Sequence, residues 1–147
     1  MMAQAAAAAS SGQGKPTWEV PSGWKEVAGG QFLVAKFALS GADGAQAAVN
    51  VSRSQGDGGG LLANVNRWRS QVGLEALAEA ELAKATQSLD LAGGKAVLAD
   101  ITGQKQSVVA VVVPRGGETW FYKLMGSVEV VQREKEAFLK FAQAVKY

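Results

Sequence analysis

The residues best suited to specific chemistry lie in one block, Gly56-Asp57-Gly58-Gly59-Gly60-Leu61-Leu62-Ala63-Asn64-Val65-Asn66-Arg67-Trp68-Arg69-Ser70-Gln71-Val72-Gly73-Leu74. A glycine-rich loop runs into a helical pattern that carries two Asn, two Arg and a Trp. Surface helices usually favour Ala, Glu and Lys, so this set of weaker helix formers points to a defined task. Arg and Trp dominate binding hot spots, which makes Asn64, Asn66, Arg67, Arg69 and Gln71 candidate partner-binding residues. Asn near a helix start also serves neighbouring backbone, and for the block as a whole a structural latch is the favoured reading, with a binding surface as the alternative. Free amides where a glycine loop meets a helix can hold an anion, and Asp57, Gly58, Gly59 and Gly60 are candidates for that. The loop lacks the Gly-Lys-Ser/Thr ending of a phosphate loop, which favours a flexible connector. One carboxylate, Asp57, is too few for a calcium loop.

Two absences narrow the chemistry further. The chain has no His and no Cys. That excludes Ser-His-Asp and Cys-His machinery, His-ligated metals, thiolate nucleophiles, iron–sulfur clusters and disulfides. Carboxylate pairs, Lys and Tyr remain, with Asp57, Asp90 and Asp100 as the acids to consider. No spacing requires catalysis, and neither a catalytic residue, a metal site nor a cofactor is expected. Lys123 interrupts an aromatic run and points either to solvent or toward a carboxylate; as a nucleophile it is a remote option. The net charge of +2 is too small and scattered for nucleic acid. No apolar run reaches the ~18–20 residues of a membrane-spanning helix.

The elements that must position these residues follow from periodicity. At 147 residues, 48% hydrophobic and 19% charged, the chain fits one globular domain. Residues 1–16, with Ala5 to Ala9 followed by Ser and Gly, read as a disordered tether, and residues 17–147 as the domain. Trp18-Glu19-Val20 alternates like a short strand before a turn at Pro21–Trp24. Gln31 to Ser40 and Ala45 to Ser54 form a hairpin, with Leu33, Ala35, Phe37 and Leu39 on one side of the first strand and Phe32, Val34 and Lys36 on the other. Ala47, Val49 and Val51 face inward from the second. In the helix from Leu61 to Val72, Leu61, Val65, Trp68 and Val72 form the buried stripe, and Arg67 falls well away from it. A short helix follows from Ala78 to about Ala85, with Leu77 and Leu82 inward. Strands at Gln87 to Leu91, Lys95 to Thr102, Gln106 to Val113 and Glu118 to Gly126 follow, the last two joined by a turn at Pro114–Gly117. The last strand is bulky on both faces and belongs in the middle of the sheet. A closing helix from about Val131 to Val145 buries Val131, Phe138, Phe141, Ala142 and Val145. Trp18, Trp24, Trp68, Trp120, Phe138 and Phe141 are expected core aromatics. Asn50-Val51-Ser52 matches a glycosylation sequon, a chance match within a strand. The order implies an α+β fold, a mostly antiparallel sheet of about six to seven strands covered by helices.

Several of these segments resemble the PsbP-like proteins, including their DcrB-like bacterial branch: Trp18, Pro21 and Trp24 spaced Trp-x-x-Pro-x-x-Trp, the Trp120-to-Gly126 strand, and Lys135, Phe138 and Phe141 spaced Lys-x-x-Phe-x-x-Phe. The resemblance covers Thr17 to Tyr147. The Asn64–Leu74 block is similar to that of a narrower set of bacterial exported proteins, often lipoproteins. The resemblance implies an α/β/α sandwich and a non-enzymatic accessory protein on the lumenal or periplasmic side of a membrane, with a protein partner at the membrane surface. It leaves the oligomeric state open. The sequence shows no lipobox cysteine and no complete export signal, so the extracytoplasmic location rests on the resemblance and on the tether-like N-terminus. A small-ligand, lipid or ion-binding module is the alternative, and a carboxylate-based enzyme a more distant one.

Overall fold

Seven strands pair edge to edge into one sheet. The computed structural model describes residues 16–31, 33–91 and 94–147. The elements are β1 (Lys25–Val27), β2 (Ala35–Ser40), β3 (Gln46–Gln55), α1 (Leu61–Gln71), α2 (Glu79–Ala85), β4 (Thr86–Leu91), β5 (Gly94–Thr102), β6 (Gln106–Arg115), β7 (Glu118–Ser127) and α3 (Val128–Gln143). Their order across the sheet is β1-β2-β3-β7-β6-β5-β4, and every neighbouring pair is antiparallel. Two local meanders are thus joined by one long-range pairing, β3 with β7, running from Ala47 opposite Gly126 to Gln55 opposite Glu118. The expected α+β sheet of six to seven strands is the one observed.

Both faces of the sheet are covered, which explains the unbroken apolar run of β6. Its odd-numbered valines, Val109, Val111 and Val113, join Phe37, Val49, Val51, Tyr122 and Leu124 beneath α3, which contributes Val130, Val131, Phe138, Phe141 and Ala142. Its other face, Val108, Ala110 and Val112, joins Ala99, Ile101 and Phe121 beneath Val65 and Trp68 of α1 and Val72 just after it. Leu77 and Leu82, around α2, extend this second core. The result is a three-layer sandwich with α3 on one side and α1 and α2 on the other.

The expected core aromatics take their places in these two layers. Trp24 and Phe37 pack on Phe141 with ring centroids 5.2 and 5.7 Å away. The Trp24 indole N–H donates to Glu134 Oε1 at 2.9 Å, which satisfies the one polar atom this ring brings inside. Trp120 stacks on Tyr122, and the buried Tyr122 hydroxyl meets that of Tyr147. Trp68 meets Phe121 edge-on in the other layer.

Four boundaries differ from the periodicity. Thr17 makes only an isolated bridge to Lys146, because Trp18 is engaged against Phe37 and Phe141; the first strand comes later, at Lys25–Val27. The second strand begins at Ala35 rather than Gln31. The β6–β7 turn is tighter than expected: Pro114 and Arg115 remain in the strand, and Gly116-Gly117 form a two-residue turn with both φ positive, +54° and +83°. Pro114 is tolerated because the β5 ladder has already ended at Val97 opposite Val112. Finally, α3 starts at Val128, directly out of β7, so Val130 joins Val131 in the core. The tether expected over residues 1–16 lies outside the described residues except for Pro16, which is buried. Phe32 of the first hairpin also lies outside them, as does Gly93, which with Gly94 reads in the sequence as the turn between Leu91 and Lys95.

Phe138 is fully buried at 0% exposure and sits at the centre of the α3 stripe. Phe138→Ala should therefore cost about 3–5 kcal/mol in urea unfolding, whereas the exposed Lys140→Ala should stay within about 0.5 kcal/mol. A loss under about 1 kcal/mol for Phe138→Ala would show that α3 does not seal this face.

Candidate functional site: a cationic cleft under the first helix

The polar residues of the Asn/Arg/Trp block divide by direction. Asn64 is only 2% exposed, and its Nδ2 donates to Gly58 O at 3.1 Å and Gly60 O at 2.8 Å. Asn66 forms a two-pronged clip: its Nδ2 donates to Leu77 O at 3.1 Å, and the Leu77 N–H donates to its Oδ1 at 2.7 Å. Arg69 Nε donates to Glu75 O at 2.7 Å. These three side chains fasten α1 to the loops before and after it. Gln71 is exposed beside a separate shallow depression formed with Gly73, Leu74 and Lys105. Arg67 makes no hydrogen bond or ion pair among the described residues and is exposed.

The glycine loop is closed on itself. Gly58 N donates to Gln55 O, Gly59 N to Asp57 Oδ1 and Gly60 N to Asp57 O, while Gly56 N donates to Gly117 O. Its amides are thus occupied within the fold, and Thr119 Oγ1 donates to Gly56 O from β7. Gly58 has φ +67° and lies flat on Phe121, where an added Cβ would come within 2.5 Å of the ring. Position 58 is therefore closed to any side chain.

Beneath Arg67 lies a cleft of about 210 Å³ between α1 and the sheet, lined in part by Asn50 and Ser52 of β3, Phe121 and Lys123 of β7, and Gly58. The β-register places these residues: Asn50 is opposite Lys123, and Ser52 opposite Phe121. Lys36 of β2 is opposite Asn50 in turn, so Lys36, Asn50 and Lys123 form a row on the α1 face. Among the described residues that line the cleft, none is acidic. Burial, and then the nearby Arg67 guanidinium, hold the Lys123 ammonium below its ordinary pKa. Asn50 Oδ1 is buried without a hydrogen-bond partner among the described residues. Such a site attracts negative charge and retains unspent hydrogen-bonding capacity.

The structure therefore brings Asn64, Arg67 and Gly58 to the cleft and turns Asn66 and Arg69 to the following loop. It adds Asn50, Ser52 and Lys123, which the reading of the helix block did not include. Their signal was present: Asn50, Ser52 and Ser54 form an entirely polar face on β3, opposite a strand that is bulky on both faces. Lys123 meets no carboxylate there; a guanidinium is its charged neighbour. The three acids considered for catalysis lie apart, with Asp57 in the loop, Asp90 paired with Lys95 and Asp100 with Lys135. Among the described residues, no group of three or more acidic side chains is placed to hold a metal ion.

This architecture is PsbP-like. The chain is similar in structure to cyanobacterial PsbP (CyanoP) from Synechocystis, with a TM-score of 0.51, 12% identity, and 95% of this chain and 98% of that one covered. A protein from Bacteroides thetaiotaomicron matches with a TM-score of 0.49 and 10% identity; the match covers 88% of this chain but only 43% of the Bacteroides chain. No family model matches the sequence, and no curated protein does.

Two outcomes follow from this geometry. Asn66→Ala removes both prongs of the Leu77 clip and should lower stability by about 1–3 kcal/mol, read from the urea midpoint, since it leaves the Leu77 amide and carbonyl unpaired. Lys123→Met should raise the melting temperature at neutral pH, with the gain shrinking toward pH 10. Below its lowered pKa, Lys123 is protonated in both folded and unfolded chains, and burying its charge destabilises in full. Between that value and 10.5 the folded chain sheds the proton first, so wild-type stability rises with pH. Burial holds the Tyr122 and Tyr147 phenols above their usual range; both are present in both proteins, so their alkaline titration cancels. An unchanged or lower melting temperature for Lys123→Met at pH 7 would contradict a confined, uncompensated ammonium.

Proposed function

We propose that this is a non-enzymatic accessory protein that docks on a membrane-associated complex through the α1 face. The observation that carries the reading is Arg67, exposed above a cationic cleft without a lining carboxylate, while three of its polar neighbours on α1 fasten the helix in place. A guanidinium carried on a firmly anchored helix suits an acidic patch on a protein partner, because its planar fork pairs with carboxylates. The PsbP-like fold supports an accessory role, and the N-terminal Ala/Ser/Gly segment suits a tether on the extracytoplasmic side of a membrane. Among the described residues no helix is long and apolar enough to cross one.

Crosslinking mass spectrometry in the native cell envelope tests this. The expected result is a reproducible set of crosslinks from the α1 face to one membrane complex, lost on Arg67→Glu. The variant should fold normally, with stability within about 0.5 kcal/mol of wild type, because Arg67 is exposed and anchors nothing. A folded Arg67→Glu protein that retains every crosslink would remove this face from the docking surface.

A further inference from the structure

We propose that the cleft under α1 is itself a binding site for a small oxyanion, a carboxylate or phosphate bearing an adjacent hydroxyl, held between Arg67 and Lys123 with its hydroxyl donating to Asn50 Oδ1. The proposal goes beyond docking: it assigns the interior of the cleft a ligand of its own, whereas docking needs only the exposed guanidinium at its mouth.

Three independent features meet at this point. The first is charge. Arg67 from α1 and Lys123 from β7 share the cleft, and neither has a hydrogen bond or an ion pair among the described residues. Exposed cations such as Lys25 and Lys140 lack such partners too and are solvated by water; Lys123 is half-buried, where an unpaired charge is costly. Two cations close enough to perturb each other in a half-buried space call for an anion between them.

The second feature is the buried, unpartnered Oδ1 of Asn50. Native structures seldom leave such an atom unpaired, and a ligand donor is one way to satisfy it. An oxygen acceptor beside two cations selects a bifunctional ligand: oxyanion toward the charges, hydroxyl toward the amide. The Ser52 hydroxyl, on the same strand face, adds a group that can donate or accept.

The third feature is shape. Phe121 and Trp68 give the cleft an apolar wall, and Gly58 keeps side-chain bulk off Phe121. At about 210 Å³ the cleft is smaller than the ~300–1,000 Å³ common for drug-sized ligands, so the ligand is small. The walls are also held: Asn64 pins Gly58 and Gly60 to α1, and the β3–β7 ladder sets Asn50 against Lys123. The walls are thus set by the fold, and the Asn50 amide, whose oxygen has almost no accessible surface, turns toward the cleft to take the ligand's hydroxyl.

The test is a titration of the full chain at pH 7, followed by amide NMR shifts, with four probes: acetate, glycolate, inorganic phosphate and glycerol 3-phosphate. Chloride at equal ionic strength is the control. Saturable shifts centred on Asn50, Ser52, Lys123 and Arg67 are expected, with glycolate binding at least about threefold tighter than acetate through its hydroxyl. The carboxylate and phosphate pairs separate the two ligand sources, and the tighter pair names the class. Arg67→Gln and Lys123→Met should each weaken binding about tenfold or more, with spectra unchanged away from the cleft. Asn50→Asp places a carboxylate beside Lys123 and should abolish the response while raising the melting temperature, a result that simple damage to the fold would not give.

Shifts no larger than those with chloride for every probe, or equal affinity in wild type and Lys123→Met, would overturn the proposal. Glycolate binding no tighter than acetate would remove the role assigned to Asn50. Loss of envelope crosslinks in Arg67→Glu with no anion binding by the isolated wild-type protein would leave the docking surface standing and remove this ligand site. Anion binding with crosslinks unaffected by Arg67→Glu would do the reverse.

Discussion

The pairing of β3 with β7 is the constraint on which the rest of the structure depends. Without it the chain is two separate meanders, β1-β2-β3 and β4-β5-β6-β7. Their joining is the contact of longest range in the sheet, and it creates a surface broad enough for α3 to close. Strand β7 becomes central, with Tyr122 and Leu124 on the α3 side and Phe121 on the α1 side. Both hydrophobic layers are therefore built on the two faces of one strand. Gly126 marks how close the approach is, since a Cβ there would stand 2.4 Å from Gln46 O and from Ala47 Cα. The ladder needs glycine at that point because any side chain would push the two meanders apart.

The same pairing accounts for the charge in the cleft. Side chains alternate across a strand, so once Tyr122 and Leu124 are committed to the α3 core, Lys123 must face α1. A register slip of one residue would drive the Lys123 ammonium into the α3 core and turn Tyr122 and Leu124 out of it. The ammonium is held in an unfavourable position by the packing of its neighbours, and Arg67 above it adds to the cost. A structural origin of the strain and a functional use of it are compatible, because a site must be strained by something stronger than itself.

The mounting of α1 shows how a short amphipathic helix is given a fixed position. Its apolar stripe is narrow, and packing alone would allow it to roll on the sheet. Asn64, Asn66 and Arg69 prevent that by bonding backbone groups on both flanking loops. Asn64 has a second role: it draws in the carbonyls of Gly58 and Gly60, so the glycine loop stays flat over Phe121 while its amides bond within the loop and to the β6–β7 turn. The residues that look most like a binding motif thus act mainly as anchors, and they fix the helix from which the one that does not, Arg67, projects.

The sequence by itself determined the elements other than β1, the class of fold and the inner and outer faces of nearly every element. These depend on local periodicity: alternation in β2, β3 and β7, the Leu61-Val65-Trp68-Val72 stripe, and the Phe138-Phe141 spacing of α3 are each legible within a single segment. The central place of β7 was legible too, because bulky residues on both faces of a strand need cover on both sides. The tertiary structure alone decided which polar residues meet. Asn50 and Lys123 are 73 positions apart in the chain, and only the register of β3 against β7 sets them side by side. The division of labour among Asn64, Asn66, Arg67 and Arg69 likewise depended on where the flanking loops lie. Helical angles give the direction of a side chain but not the backbone group that waits for it. The late start of the first strand has the same origin, since Trp18 is held by two rings distant in sequence rather than by its neighbours. Local patterning is written in adjacent residues, whereas a site is assembled by long-range pairing.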